Sequence, residues 1–459
     1  MGIDPEKKVL LGFSGGPDSL CLLHLLHETG FQVIAAHLDH GLRPSSAAEA
    51  ENAKSVCQAY GMECLVNRVD VVASSREHHL TLEESARVLR YEFLFEEAER
   101  LMVQAVLVAH NADDQVETVL MHLMRGSGLS GLAGMRPVLL PNPWSNTIPL
   151  VRPLIGIRRV EIEDYLRKWG LVAVVDESNT DKQYFRNRIR HELIPYMETY
   201  NPRFRERIRN LADVAAVEDD FLRVSLDEIW VKAVRQQGDH FLIIDRDFLL
   251  NLHPALLRRF TRQAIEWMDP TLRDIDFKVI NRATGFCRKP TRSNRVDLLA
   301  GIELFLYNGD LVFARVDDPL HGLWPQLQAV MECYIPVPGE LMVSPVWVLQ
   351  AYMQDETEIE PSAFVAYLDA NKLTGGLLLD RVNQGDRFTP YGGESHTKKV
   401  GDFWTSEGLP ARARKNWPLI RAGGEIIWIP GFRIANHVRV DETTTEVIRL
   451  EMKKRTGSD

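Results

Sequence analysis

Between residues 8 and 175, short apolar runs alternate with stretches whose apolar residues recur every three to four positions. This is the pattern of a parallel sheet covered by helices on both faces. The runs predict strands over Lys8–Phe13, Phe31–Leu38, Glu63–Val69, Val103–Ala109, Thr147–Pro153 and Leu171–Val175. Helices are predicted over Ser19–Thr29, Ser46–Tyr60, Thr81–Leu101, Asp113–Arg125 and Arg158–Trp169, with Gly30, Gly61 and Gly170 as stops. Thr81 reads as an N-cap with Glu84 as its capping-box partner.

After Asp176 the chain turns basic, and Arg186–Tyr196 followed by Asn201–Leu226 predicts a helix pair leaving the first domain. Helical periodicity over Pro254–Met268 and Asp274–Gly285, then alternation over Glu303–Tyr307 and Asp310–Ala314, predicts a smaller central region. Residues 316–362, rich in Pro and then in acid, read as a linker or edge-strand region. The expected class is α/β, a doubly wound parallel sheet followed by two smaller α+β domains, with divisions at 1–210, 211–340 and 363–459.

Composition narrows the function. With 54 Lys plus Arg against 64 Asp plus Glu, the net charge of −10 argues against a protein that coats nucleic acid by bulk charge, so any RNA contact must come from local patches. The five cysteines, Cys21, Cys57, Cys64, Cys287 and Cys333, include no CxxC pair and no zinc-site spacing, which favours a reducing cytoplasm. No run of about 18 apolar residues occurs, so a membrane partner is not expected.

The strongest chemical signal is Ser14-Gly15-Gly16-Pro17-Asp18-Ser19, between a predicted strand and a helix start. Paired glycines let the backbone approach a phosphate, helix-start N–H groups point at the anion, and the serine hydroxyls add donors. His37-Leu38-Asp39-His40 ends the second strand, where a doubly wound sheet borders its ligand crevice. After the fourth strand come His110-Asn111-Ala112-Asp113-Asp114-Gln115-Val116-Glu117; for a strand order 3-2-1-4-5 this segment faces the phosphate loop, and Asp113 and Glu117 share a helix face suited to a cation. Arg125 ends that helix about 16 Å from Asp114, a distance that also suits a simple C-terminal dipole partner.

Asp176 to Arg190 mixes carboxylates with Lys182, Arg186, Arg188, Arg190 and the rings of Tyr184 and Phe185, a set able to grip phosphates and stack on a base. A second basic string runs from Arg387-Phe388 through Lys398-Lys399 and Phe403-Trp404 to Arg412-Ala413-Arg414-Lys415-Asn416-Trp417.

The Ser14–Ser19 loop resembles the pyrophosphate loop of the PP-loop ATPases, a Rossmann-like group that splits ATP to AMP and pyrophosphate. The segments at 37–43, 110–118, 125–128 and 176–190, with the string at 387–419, resemble the longer bacterial form of the tRNA(Ile)-lysidine synthetase family. The resemblance implies ATP-dependent ligation of free L-lysine to C2 of cytidine 34 in the CAU anticodon of tRNA(Ile), through an adenylated cytidine. It implies ATP and Mg²⁺ as cofactors and a cytoplasmic location, with a homodimer as a candidate assembly.

On that resemblance, Ser14, Gly15, Gly16, Pro17, Asp18, Ser19 and His40 would bind ATP. Asp39, Asp18, Asp113 and Arg125 would be catalytic, and Asp113, Asp114 and Glu117 would hold lysine or metal. Asn179, Tyr184, Arg186, Asn187, Arg190, Lys398, Lys399, Arg412, Arg414 and Lys415 would bind tRNA. The alternatives are another PP-loop tRNA-modifying enzyme such as a thiolase, which the unpaired cysteines disfavour, a non-catalytic tRNA-binding protein, or an amide synthetase acting on small molecules, which has no evident use for the basic C-terminal string.

Overall fold

The computed structural model describes residues 2–41, 46–174, 185–272, 275–291, 293–328, 332–354, 362–392 and 396–455. Two compact units divide the chain, Met1–Arg223 and Val224–Asp459.

In the first unit β1 (Val9–Gly12), α1 (Pro17–Glu28), β2 (Val33–Asp39), α2 (Ser46–Ala59), β3 (Glu63–Arg68), α3 (Val71–His78), α4 (Leu82–Arg100), β4 (Val106–Leu107), α5 (Ala112–Met124), α6 (Leu129–Leu132), β5 (Val138–Leu139), β6 (Leu150–Val151) and α7 (Arg159–Trp169) follow one another. The sheet runs β3-β2-β1-β4-β6-β5, parallel except for β5, which pairs antiparallel with β6 at the edge. The period of two along β1 assigns its side chains to opposite layers. Val9 and Leu11 pack with Leu20, Leu23 and Leu26 of α1 and Ile162 and Leu166 of α7, while Leu10 packs with Tyr91, Leu94 and Phe95 of α4. Thr81 caps α4 by accepting from the Glu84 amide (3.2 Å), and Gly170 ends α7 at φ +64°.

Several expectations change. Leu171–Val174 forms no strand: the left-handed Gly170 turns the chain back across the sheet end, and the Val174 amide donates to the Gly15 carbonyl (3.1 Å). α3 and β5 are additional elements. The helix expected over 186–196 is α8 (Phe185–Arg188), a π-turn (Ile189–Leu193) and α9 (Ile194–Tyr200). The Ile194 amide reaches back five residues to the Ile189 carbonyl, just before Pro195, which has no amide to donate. α10 (Phe204–Ala233) continues beyond Leu226 for 30 residues in all and carries the chain past the division between the units.

The second unit begins with a five-stranded antiparallel sheet that includes Phe241–Ile244, Ile302–Tyr307 and Asp310–Arg315, against which the helices Pro254–Met268 and Phe277–Arg288 pack. Two four-stranded antiparallel sheets and a two-stranded ribbon, Arg387–Phe388 with Lys398–Lys399, follow. The region expected as linker or edge contains Trp347–Gln354, an interior strand paired on both sides. One hydrophobic cluster joins Phe241, Phe305 and Trp324 to Trp347, Trp404, Trp417 and Trp428, so the stretches read as central and C-terminal domains share a core within this unit.

Candidate active site

The ends of β1 and β4 are adjacent in the sheet and the chain diverges to either side of them, which opens a crevice at their C-terminal edge. Gly15 sits at φ +78°, a conformation that strains any side-chain-bearing residue, and Gly16 is the extended residue preceding α1. The Ser14 and Ser19 hydroxyls are 3.1 Å apart; Ser14 Oγ accepts from the Gly16 amide (3.3 Å), and Ser19 Oγ donates to the Gly16 carbonyl (3.0 Å). Pro17 takes the first helical position, where no amide is needed. The result is a preformed cradle at the start of a 12-residue helix, suited to a phosphate group.

A hydrogen bond from Asn111 Nδ2 to Asp18 Oδ1 (3.0 Å) ties this cradle to the segment after β4. Asn111 is buried and caps α5: its Oδ1 accepts from the amides of Asp113 and Asp114 (2.8 and 3.0 Å), and its own amide donates to Asp114 Oδ2 (3.0 Å). Burial pushes the Asp18 carboxyl above its ordinary range, against the Asn111 hydrogen bond, which lowers it.

The carboxylates of α5 are engaged. Glu117, with no exposed surface, accepts from Arg186 Nε (2.7 Å) and Arg190 Nε (2.5 Å), and Asp114 Oδ1 accepts from Arg186 Nη2 (2.9 Å) and Arg190 Nη2 (3.2 Å). Burial raises the Asp114 carboxyl despite the Arg186 charge. Asp113 accepts from Arg205 Nη1 (2.6 Å) and the Arg159 amide (2.8 Å). The α8–α10 region is thereby fastened to α5 by three arginines.

On the other side, Asp39 is buried at the end of β2. It accepts from the Gly41 amide (2.8 Å) and lies 3.6 Å from Arg68 Nε. Burial acts to raise its carboxyl, but the Gly41 and Ser46 hydrogen bonds and the Arg68 charge together hold it below the usual range, so it is ionised at neutral pH. Beside it His37 Nδ1 donates to the Phe13 carbonyl (2.9 Å), and Arg90 Nη2 donates to His40 Nε2 (3.1 Å). Burial and the Arg90 charge push His40 down to about 4, so its ring is neutral at pH 7.

The structure thus gathers Ser14–Ser19, Asp39, His40, Asp113, Asp114 and Glu117 along one sheet edge. Arg125 is elsewhere: it is exposed, caps the far end of α5, and lies about 16 Å along the axis from Asp114. Arg186 and Arg190 face carboxylates rather than open solvent, because leaving Glu117 buried without them would be costly. Asn187 is partly buried; Asn179 and Tyr184 lie outside the described residues.

In the second unit Arg412 donates to Glu303 and to the carbonyls of Arg315 and Asp318, and Arg414 donates to the Leu409 carbonyl and Thr405 Oγ1. These two arginines hold the fold together. Phe403, Trp404 and Trp417 are buried and unavailable for stacking on bases. Lys398, Lys399 and Lys415 are exposed. Sequence reasoning also passed over Asn111, the bridge between the two loops, and Arg87, Arg90 and Arg152. Asn111 could have been found as an N-cap followed three residues later by an acid.

A family model described as a PP-loop domain matches residues 2–197, and one described as a TilS substrate C-terminal domain matches 379–452. The chain is 34% identical to the tRNA(Ile)-lysidine synthase of Dehalococcoides mccartyi over 98% of this chain and 96% of that protein. It is 28% identical to the one from Caldanaerobacter subterraneus subsp. tengcongensis, over 98% and 95%. Among solved structures it is similar to the U34-tRNA thiolase NcsA from Methanococcus maripaludis with its [4Fe-4S] cluster, at 20% identity and TM-score 0.40, over 47% of this chain and 73% of that one.

Proposed function

The chain belongs to the tRNA(Ile)-lysidine synthase family and is an ATP-dependent ligase acting on tRNA; from that premise we propose how its own residues divide the reaction. The substrates are ATP, free L-lysine and a tRNA(Ile) with a CAU anticodon. In the first step O2 of cytidine 34 bonds to the α-phosphorus and pyrophosphate leaves. In the second, the lysine ε-amine, having lost a proton, bonds to C2, and O2 departs with AMP. Activation is needed because O2 alone is a poor leaving group.

The observation that carries this reading is the Asn111–Asp18 hydrogen bond, which unites the phosphate cradle with the carboxylate-bearing helix in one crevice. The cradle fits the departing pyrophosphate: Ser14 and Ser19 supply hydroxyls, and α1 its free amides. Asp18 keeps one oxygen unused by Asn111, and with the ionised Asp39 it fits Mg²⁺, which binds through one or two carboxylates together with substrate phosphates. Bound there, the ion would neutralise charge building on the phosphates.

Asp114 and Glu117 are our candidates for the lysine ammonium groups. An incoming ammonium takes over an oxygen now held by Arg186 or Arg190, so lysine binding is coupled to the α8–α9 region. Asp113 serves as the anchor for Arg205. Neutral His40 donates or accepts a hydrogen bond at the nucleotide but does not act as a charged acid. For tRNA docking in the second unit we favour Arg387, Lys398 and Lys399 of the exposed ribbon, with Lys415.

A homodimer is part of the same reading, through the exposed face of Leu211, Val214, Val217 and Phe221 on α10; sedimentation would detect it. Among the described residues no helix is long and apolar enough to cross a membrane. A cytoplasmic location is part of our reading, because the substrate is tRNA. The reaction is tested by following AMP and pyrophosphate on addition of tRNA. Equal release of both, dependent on a tRNA with the CAU anticodon, is expected; no release would contradict it.

A further inference from the structure

Arg186, Arg190, Arg412 and Arg421 all have buried or partly buried side chains, and each is met by a carboxylate: Asp114 and Glu117, Glu303, or Asp380 and Asp386. Among the described residues Arg421 and Arg152 are the two arginines buried outright, and Arg152 has no such partner. It is 4% exposed, donates from Nε to His110 Nδ1 (3.3 Å) and from Nη1 to the Arg136 carbonyl (2.8 Å), and among the described residues no carboxylate lies within ion-pair distance. A buried guanidinium without a counter-charge is unfavourable unless an anion joins it.

Its surroundings add more positive charge. Tyr91 lies beside Arg152, and the Arg87 guanidinium sits 5.5 Å from the centroid of its ring. Arg90, one turn along α4 from Arg87, bonds His40. Neither Arg87 nor Arg90 has a carboxylate within ion-pair distance among the described residues.

The two histidines complete the set. His110 accepts from Arg152 through Nδ1, so its ring proton is on Nε2; His40 accepts from Arg90 through Nε2, so its proton is on Nδ1, and that buried nitrogen has no partner. Burial holds both rings neutral, aided at His110 by the Arg152 charge and at His40 by the Arg90 charge. At the ends of β2 and β4 the chain therefore gathers three guanidiniums and two ring N–H donors, while the buried Asp39 beside them accepts from the Gly41 amide and faces Arg68. This is the complement of the acid-rich α5 cluster beside it.

We infer that Arg87, Arg90 and Arg152 form a subsite for an oxyanion, a carboxylate or phosphate group carried by one of the substrates. The inference rests on the reaction above for its choice of substrates, and the sources of the oxyanion are the lysine carboxylate and a phosphate of the tRNA or ATP. A planar guanidinium pair suits either group through paired N–H bonds.

The test is steady-state kinetics of the wild type, Arg87→Gln and Arg90→Gln, with Arg90→Lys as the conservative variant. A lysine carboxylate in the subsite predicts that KM for lysine rises at least about tenfold, and that the wild-type preference for lysine over lysinamide collapses. A tRNA phosphate predicts instead a raised KM for tRNA and a salt dependence shallower by about 0.7–0.9 in log–log slope for each phosphate that the variant no longer neutralises. A nucleotide phosphate raises KM for ATP alone. Arg90→Lys should recover part of the loss in each case. Unchanged KM values for all three substrates, with only kcat or stability reduced, would overturn the subsite. Stabilisation by inorganic phosphate gives an independent readout: it should raise Tm more in the wild type than in Arg90→Gln. That difference survives even if the wild type makes no lysidine, an outcome that would sink the reaction assignment and not the subsite, whereas equal Tm shifts would sink the subsite.

Discussion

The crevice edge of the first unit and the Arg387–Trp417 string of the second are both rich in arginine and aromatic residues, and their side chains do opposite things. Around the crevice, charged groups surround the phosphate cradle: Arg186 and Arg190 meet Asp114 and Glu117, while Arg87, Arg90 and Arg152 lack such partners among the described residues. In the second unit Arg412 and Arg414 are spent on backbone carbonyls and Glu303, and the rings are core. What remains for a polyanion there is Arg387 with the exposed lysine set. A basic string is thus evidence for RNA contact only after the arginines that build the fold have been subtracted.

That contrast can be broken. The largest effect is expected at Glu117→Ala, which leaves Arg186 and Arg190 to share Asp114 as their one remaining carboxylate on α5: the first unit should lose about 3–5 kcal/mol in urea unfolding, and activity should fall with it. An unfolding curve like that of the wild type would show that the α5 cluster is not what fastens α8–α9. Asp39→Asn should keep its fold and lose at least about 10²-fold in turnover, measured as AMP release. Near-normal turnover would remove the carboxylate from the chemistry.

In the second unit the triple change of Lys398, Lys399 and Lys415 to Ala should weaken tRNA binding and flatten its salt slope by up to about 0.9 for each phosphate left without its lysine. Arg412→Ala should instead lower unfolding stability and leave that slope alone. The reverse pattern would return Arg412 to the tRNA surface. The smallest effect concerns pH. His40 is held down to about 4, so the unfolded chain takes up a proton near 6.5 that the folded chain refuses. Stability should therefore fall as pH drops from 6.5 toward 4, and fall less steeply in His40→Gln; parallel pH profiles would remove His40 as the cause.

Much of the first unit was legible because its signals are local. Strand, glycine turn and helix start occur in order around Ser14–Ser19, and Thr81 and Gly170 mark helix ends by their own chemistry. Leu171–Val174 misled because an apolar run of four also suits a segment lying against the sheet's end, and the two-residue β5 carries too little pattern to read. The partners of Asp114 and Glu117 lie about 70 residues away in the chain, and no spacing rule reveals such pairing. Arg152 was invisible for the same reason: its lack of a carboxylate exists only once the sheet is assembled.

The measurement that bears most directly on the account is incorporation of labelled lysine into tRNA with ATP and Mg²⁺, followed by mild alkali to remove any aminoacyl ester. Alkali-stable label that requires a tRNA(Ile) with the CAU anticodon is the predicted result. Label fully released by alkali, or AMP formed without any label, would contradict joining of lysine to the base.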